Sequence, residues 1–398
     1  MIRLIGFELR KALQNRFFWI LAIAMLGITV LNVWKPWNGL PLEAHRAFRI
    51  ADGQNLVFFR NVLDLSAEDH AALFEMGRNN VFGGNIVSPE EQVKPGIFTE
   101  TWQTDYYMSR TYFSRQTRYD KAMQLREGIV QTAQRHGAKA AADGDAYQMR
   151  RNYEIIQIFS EKPVQAWLPM RGAEEYFADG LYDILALILA AGLASTCFSN
   201  EHETGAIQLV LAGRNGRRKT AAAKVLASMA AAVAISCLFS CAAFICYEIK
   251  SGILWAFPAP LIMLEGYHSA PFNGTVGQYT AIFIAFKAFG AMTLAGIVCM
   301  ISALSRSNLK AYIAAAVYLG ASFAYGILVR RPGWPEALHL PNITLWLHPY
   351  DYFAKYNAAN LWQFPVGWWL VHIAFAVILL CAAAVVTISA HAHKRGRL

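Results

Sequence analysis

The sequence predicts an all-α polytopic membrane protein with six transmembrane helices and a large, mostly helical extracytoplasmic domain between helices 1 and 2. Three observations predict it. The 398 residues are 56% hydrophobic and only 16% charged, where soluble domains run at about 45–50% apolar and about 25% charged. The apolar residues gather in six blocks, each near the roughly 20 residues that a helix needs to cross a bilayer. The 36 basic residues are divided very unequally between alternate connecting loops.

The chain opens with MIRLIGFELRKALQNR. Ile2, Ile5, Leu9, Ala12 and Leu13 recur at helical spacing, with Arg3, Arg10 and Lys11 placed for lipid headgroups. Residues 1–16 therefore read as a surface-lying amphipathic elbow helix feeding the first span. No small-residue cleavage site follows, so the first block reads as a retained span and not a removed signal peptide. The six blocks are Phe17–Trp34, Leu181–Phe198, Ala221–Tyr247, Tyr279–Ile301, Ala311–Val329 and Pro365–Ala390. Backbone polar groups cannot be left unsatisfied in lipid, so each block reads as a helix. A soluble alternative would need six long helices that are apolar on every face.

Basic residues on short loops set orientation. Arg3, Arg10, Lys11, Arg16, the run Arg214–Lys224, Arg306, Lys310 and the tail Lys394–Arg397 put 14 on one side. The opposite short loops carry four: Lys250, Arg330, Arg331 and Lys355. Residues 1–16, 199–220, 302–310 and 391–398 are thus expected in the cytoplasm, and 248–278 and 330–364 outside. The net charge of +9 then reports topology beside anionic lipid, not a nucleic-acid surface. Tryptophan agrees: nine of the 11 lie in or near spans or in the short outer loops.

Residues 35–178 form the outer domain, with 17 basic and 18 acidic residues. SAEDHAALFEMG begins with Ser66 and has Asp69 three residues on, which resembles a capping box. The segment 111–137 has an amphipathic pattern and is expected to end near Gly137. A further helix precedes Pro163. The polar residues form no catalytic arrangement, so a shield, gate or partner surface is expected. Trp255–Leu264 either dips into the membrane or lies on it, and Pro332–Phe364 reads as an interfacial cap; both either shape an exit path or simply pack laterally. All six cysteines lie in or at the ends of spans and read as small apolar fillers. No disulfide framework and no metal site is implied.

The segment FSNEHETGAIQLVLAGRNGRRKTAAAK, from Phe198 to Lys224, is the most informative. Glu201 and Glu203 follow the second span at once. A short helical pattern through Ile207, Leu209 and Val210 leads to a turn and a basic cluster. It is either a docking element that transmits a push into the spans or a solvated loop. The two glutamates are placed to pair with cations on a partner or on the chain's own N-terminal helix. Inside the spans, Lys287 is costly; it either lines a cavity or pairs with Asp183. His372 reads as a helix contact.

These features together resemble the membrane subunit of an ABC-2 type transporter, of bacterial kind. The resemblance rests on the opening MIRLIGFELRKALQNRFFWIL, the large loop between the first two spans, and F-x-x-E-x-x-x-G met by Phe198, Glu201 and Gly205. Arginines near Gly213–Arg218 and then Lys224 follow in order. The family usually has Thr-Pro-x-x-Arg before that lysine, where this chain has AGRNGRRK. The resemblance implies partner ATPase subunits that hold ATP and Mg2+, and a second permease subunit, identical or similar. It marks Phe198, Glu201, Glu203, Gly205, Arg214, Arg217 and Arg218 as the ATPase-coupling residues. It also implies an exporter in the bacterial cytoplasmic membrane. The chain itself carries no phosphate-cradling G-x-x-x-x-G-K-S/T sequence, so no catalytic, cofactor-binding or metal residue is expected on it. The other classes left open are an ion-gradient-driven carrier or channel, and a membrane sensor or immunity-type interaction protein.

Overall fold

A computed structural model describes residues 1–34, 102–161, 170–205, 218–305, 307–329 and 349–393, together with Ala71, Phe74, Glu75, Arg78 and Trp346. The helices are α1 (Ile2–Leu13), α2 (Arg16–Trp34), α3 (Trp102–Asp143), α4 (Ala146–Ser160), α5 (Arg171–Ala178), α6 (Leu181–Glu203), α7 (Arg218–Ser251), α8 (Val276–Leu304), α9 (Asn308–Val329), α10 (Tyr350–Phe353) and α11 (Trp368–His393). One two-stranded antiparallel sheet, β1 (Ala358–Leu361) with β2 (Phe364–Gly367), precedes α11.

Five stretches are helical, long and apolar enough to cross a membrane: Arg16–Trp34, Arg171–Glu203, Arg218–Ser251, Val276–Leu304 and Trp368–His391. The protein is thus an all-α multi-pass membrane protein with a helical domain between its first two spans. The sequence leads to an expectation of six spans; five such helices are found among the described residues. The segment expected as the fifth span is helical, as α9.

Helices α6, α7 and α8 pack on one another at the centre, with α2, α9 and α11 around them. Side chains decide this order: α8 buries residues on most of its circumference, whereas α2 buries only Ala22, Thr29 and Val33. A helix that exposes apolar residues on most faces is suited to lipid contact. Helix α1 turns Leu4, Ile5, Glu8 and Leu9 toward the protein. Ile2 and Leu13, expected on that apolar stripe, are exposed instead. The start of the chain and the end of α11 both meet the end of α6: Lys11 reaches Glu201, and the His391 ring lies 5.5 Å from that of Phe198. We call this the terminal face. The domain of α3 and α4 lies at the opposite, domain face.

The long helix α3 runs through Gly137, where the sequence suggested its end, and stops at Asp143. Gly144 takes a positive φ of 71° and breaks it. At Gly137 a Cβ would stand 3.4 Å from the Asn152 Cβ, so this glycine serves close packing of α3 on α4. Asp145 caps α4 by accepting from the Gln148 N–H. The Ser66 helix start and residues 332–345 lie outside the described residues.

Arg126 of α3 is buried and fastens the domain to the bundle. Its Nη1 donates to the Ala270 carbonyl at 2.9 Å, and its Nη2 to Asn273 Oδ1 at 2.6 Å and Ile158 O at 3.1 Å. The connection from α7 to α8 holds Ala270 and Asn273. In its two 3-10 turns, Ile253–Ala256 and Leu261–Met263, the side chains of Ile253, Ala256, Leu261, Ile262 and Met263 are buried in protein while Leu254 is exposed. Of the segment expected as a cap, Trp346 is buried against the bundle. Trp346 packs on Phe286 and Phe289 of α8, where Gly290 leaves room: a Cβ there would be 2.5 Å from the Trp346 Cβ. The β-hairpin docks on α4, with Tyr147 Oη donating to Ala358 O and the Arg150 guanidinium 4.0 Å over the Phe364 ring.

Candidate coupling site at the terminal face

The site starts from the end of α6. Near that end, serines tie α6 to its neighbours. The N–H groups of Phe198 and Ser199 donate to Ser302 Oγ of α8 at 3.0 and 3.1 Å, and that hydroxyl donates to Ser195 O at 2.6 Å. Ser199 Oγ reaches Asn308 Oδ1 of α9 at 2.6 Å. These bonds pin α6 to α8 and α9 just before its polar end.

Glu201 follows on the same helix face. Its side chain is only 4% exposed, and its Oε1 takes both Lys224 of α7 and, at 2.9 Å, Lys11 of α1. Lys224 is fully buried; it also donates to the Cys197 carbonyl at 3.2 Å and lies 5.3 Å over the Phe198 ring. Glu201 therefore joins three helices: the elbow, the end of the second span and the start of the third. Glu8, one turn before Lys11, is half-buried beside this cluster. Burial raises its pKa above the usual carboxylate range, and the Lys224 and Lys11 charges only partly oppose that. For Lys11, burial lowers the pKa, but the hydrogen bond and charge of Glu201 outweigh it and leave it raised.

The candidate coupling residues are thus not a single cluster. Phe198 and Glu201 are buried together. Glu203 and Arg218 are exposed on the rim, and Gly205 follows α6 with φ 73°. Arg214 and Arg217 lie outside the described residues. Sequence reasoning assigned Glu201 no particular cation; the helical continuation of α6 to Glu203 and of α7 back to Arg218 places Lys224 opposite it. The i, i+3 recurrence of Glu8 and Lys11 was the available signal for α1.

The intramembrane candidates form two other groups. Lys287 of α8 donates to Asp183 Oδ2 at 2.6 Å and to Tyr182 Oη at 2.8 Å. Its ammonium lies 3.7 Å from the centroid of Phe283 and 4.5 Å from that of Tyr182. Tyr182, which the sequence did not single out, completes this pocket of cation, anion and ring faces. His372 is elsewhere, buried among Tyr352, Trp368 and Trp346 at 5.1, 5.9 and 6.4 Å between ring centroids.

Among the described residues no group of three or more His, Cys, Asp or Glu side chains is placed to hold a metal ion. Two cavities stand out. One, of about 230 Å³, opens at the terminal face between α1, α2, α6, α7 and α9. The other, of about 640 Å³, lies at the domain face between α5, the α7–α8 connection and α10. Lys287 lines neither.

Comparison with curated proteins finds no match. A family model described as "ABC-2 family transporter protein" matches residues 2–392. With that match over nearly its whole length, the chain belongs to the ABC-2 family of membrane transporter proteins.

Proposed function

We propose that the chain is the membrane-spanning permease subunit of an ATP-binding-cassette exporter, driven by separate ATPase subunits that bind ATP and Mg2+. The observation that carries this reading is the Glu201 junction. One buried carboxylate ties the elbow and two spans at a single face. A soluble partner pressing on the exposed rim of Glu203, Gly205 and Arg218 would move three helices as one body. Closure of two ATPase subunits on ATP would then bias the packing of the spans. A second permease subunit, identical or similar, completes the membrane unit.

In this reading the terminal face is cytoplasmic, the membrane is the bacterial cytoplasmic membrane, and α9 is a sixth span. Connectivity supports the last point. Asn308, at the start of α9, touches Ser199 at the terminal face, whereas Tyr350 donates to Gly266 O near the domain face. A crossing by α9 fits these two ends, and its 22 residues of helix reach about 33 Å at 1.5 Å per residue, enough for a bilayer core.

A gradient-driven carrier would run its ion past ionisable groups in the spans. Lys287 and Asp183 are closed against each other at 1% and 2% side-chain exposure, which gives that alternative no path. The test is co-expression with a candidate ABC ATPase, followed by purification and reconstitution in sealed vesicles. Co-purification, ATP-dependent transport and loss of both in Glu201→Gln are expected. Transport without any ATPase, following a proton or sodium gradient, would overturn the reading.

A further inference from the structure

The smaller cavity has a polarity gradient. Along α6 its wall runs from Leu189 and Leu193 through Thr196 to Asn200 and Glu201. Those 12 residue steps cover about 18 Å at 1.5 Å per residue, close to the roughly 15 Å depth of one leaflet's hydrocarbon. Across from the apolar stretch stand Phe17, Phe18 and Leu21 of α2. Phe17 is 68% exposed, so the cavity is continuous with the lipid-facing surface of α2. At the terminal face the charged side chains on the wall are Glu8, Lys11 and Glu201, with Lys224 paired to Glu201 behind them.

Glu201 adds a second, independent sign. Both lysines use its Oε1, and its buried Oε2 has no hydrogen-bond partner among the described residues. A buried carboxylate oxygen without a donor is costly, and an entering N–H group would relieve it. Glu8, on the same wall, is a half-buried carboxylate with no hydrogen bond of its own to a lysine.

We propose that this cavity holds a phospholipid with a primary-amine headgroup, its ammonium between Glu8 and Glu201 and an acyl chain between α2 and α6. A primary ammonium brings three N–H donors, which meet the Glu8 carboxylate and the unfilled Glu201 Oε2. A trimethylammonium headgroup brings none. Lys11, whose side chain is 46% exposed at the mouth, meets the phosphate. The lipid would wedge between the elbow and the second span beside the Glu201 junction. The proposal rests on the membrane reading but not on ATPase docking, so either can fail alone.

The test is thermal melting of the purified full chain in phosphatidylcholine nanodiscs, with phosphatidylethanolamine or phosphatidylglycerol doped in, or with soluble glycerophosphoethanolamine added. Phosphatidylethanolamine is expected to raise the melting temperature by roughly 3–8 °C over phosphatidylcholine alone, the scale of a bound ligand at saturation. Glu8→Gln should cut that rise by half or more, and Leu193→Trp, which fills the apolar stretch, should remove it. If Leu193→Trp fails to fold, Glu8→Gln and native mass spectrometry of retained lipid carry the test. An equal response to all lipids, a rise with phosphatidylglycerol alone, or a Glu8→Gln protein that responds like wild type would overturn the proposal. A full rise with glycerophosphoethanolamine would overturn the lipid as the source and leave a soluble amine.

Discussion

Lys287 and Asp183, 104 residues apart in sequence, meet at 2.6 Å with the Tyr182 hydroxyl as a third partner. Both side chains are almost wholly buried. Removing one member of a buried pair strands the other charge and costs about 3–5 kcal/mol, whereas replacing both with apolar side chains is often neutral. Lys287→Met and Asp183→Leu should therefore each lower the yield of folded protein in a membrane fraction, and the double variant should recover most of it. Normal specific transport in what remains of each single variant is expected for a structural pair. A single variant that folds fully but transports poorly would assign the pair to the substrate path instead.

The Glu201 junction predicts an asymmetry between its two lysines. Lys224 is fully buried, while the Lys11 side chain is 46% exposed. Exposed pairs are worth about 0–1 kcal/mol; loss of a buried partner costs several times that. Lys224→Met should lower the melting temperature much more than Lys11→Met. If the junction also transmits force, Lys11→Met should leave folding near normal yet weaken ATPase stimulation by the permease. Equal melting temperatures for the two variants would contradict the burial difference.

Much of this architecture was legible because hydropathy reports the lipid boundary directly. It does not report helix ends. Helix α6 continues to Glu203 and α7 begins at Arg218, because polar residues can remain helical beyond lipid. That is why Glu201 read as loop and its contact with Lys224 was not assigned. Gly137 misled for a related reason: one glycine in a helix costs about 1 kcal/mol, which the contact with α4 offsets. The β-hairpin was missed because Trp362 and Gln363 adopt φ of 47° and 68° without the Asn or Gly that usually marks such a turn. Nothing in the sequence separated Arg126 from the other basic residues of the domain, since its acceptors are carbonyls, which every residue has.

Arg126 should prove the most sensitive of those residues. Its guanidinium fills carbonyls of Ala270 and Ile158 and the Asn273 side chain at once. Hydrogen bonds to charged groups are worth about 1.5–3 kcal/mol each, and stranded acceptors add a penalty. Arg126→Ala should loosen the α7–α8 connection from the domain, and Arg126→Lys should not rescue it, because an ammonium cannot reproduce the planar fork. Hydrogen exchange checks this: faster exchange in Ile253–Asn273 and in α4, with α6 unchanged, is expected in both variants.

Glu8 carries a pH dependence whose sign follows from its raised pKa. Burial lifts it above the ordinary 4.5, and Lys224 and Lys11 only partly offset this. The folded chain then binds the Glu8 proton more tightly than the unfolded chain does. The stability contributed by that proton is fully present below the unfolded value and is lost as pH rises through the folded one. At neutral pH the ionised carboxylate is a burden to the fold. In phosphatidylcholine alone, Glu8→Gln should therefore melt higher than wild type at pH 7–8, and the gap should close as pH falls to about 4.5 and below. Melting curves across that range decide it; a variant that is less stable at pH 7–8 would mean that the lysines, not burial, dominate at Glu8.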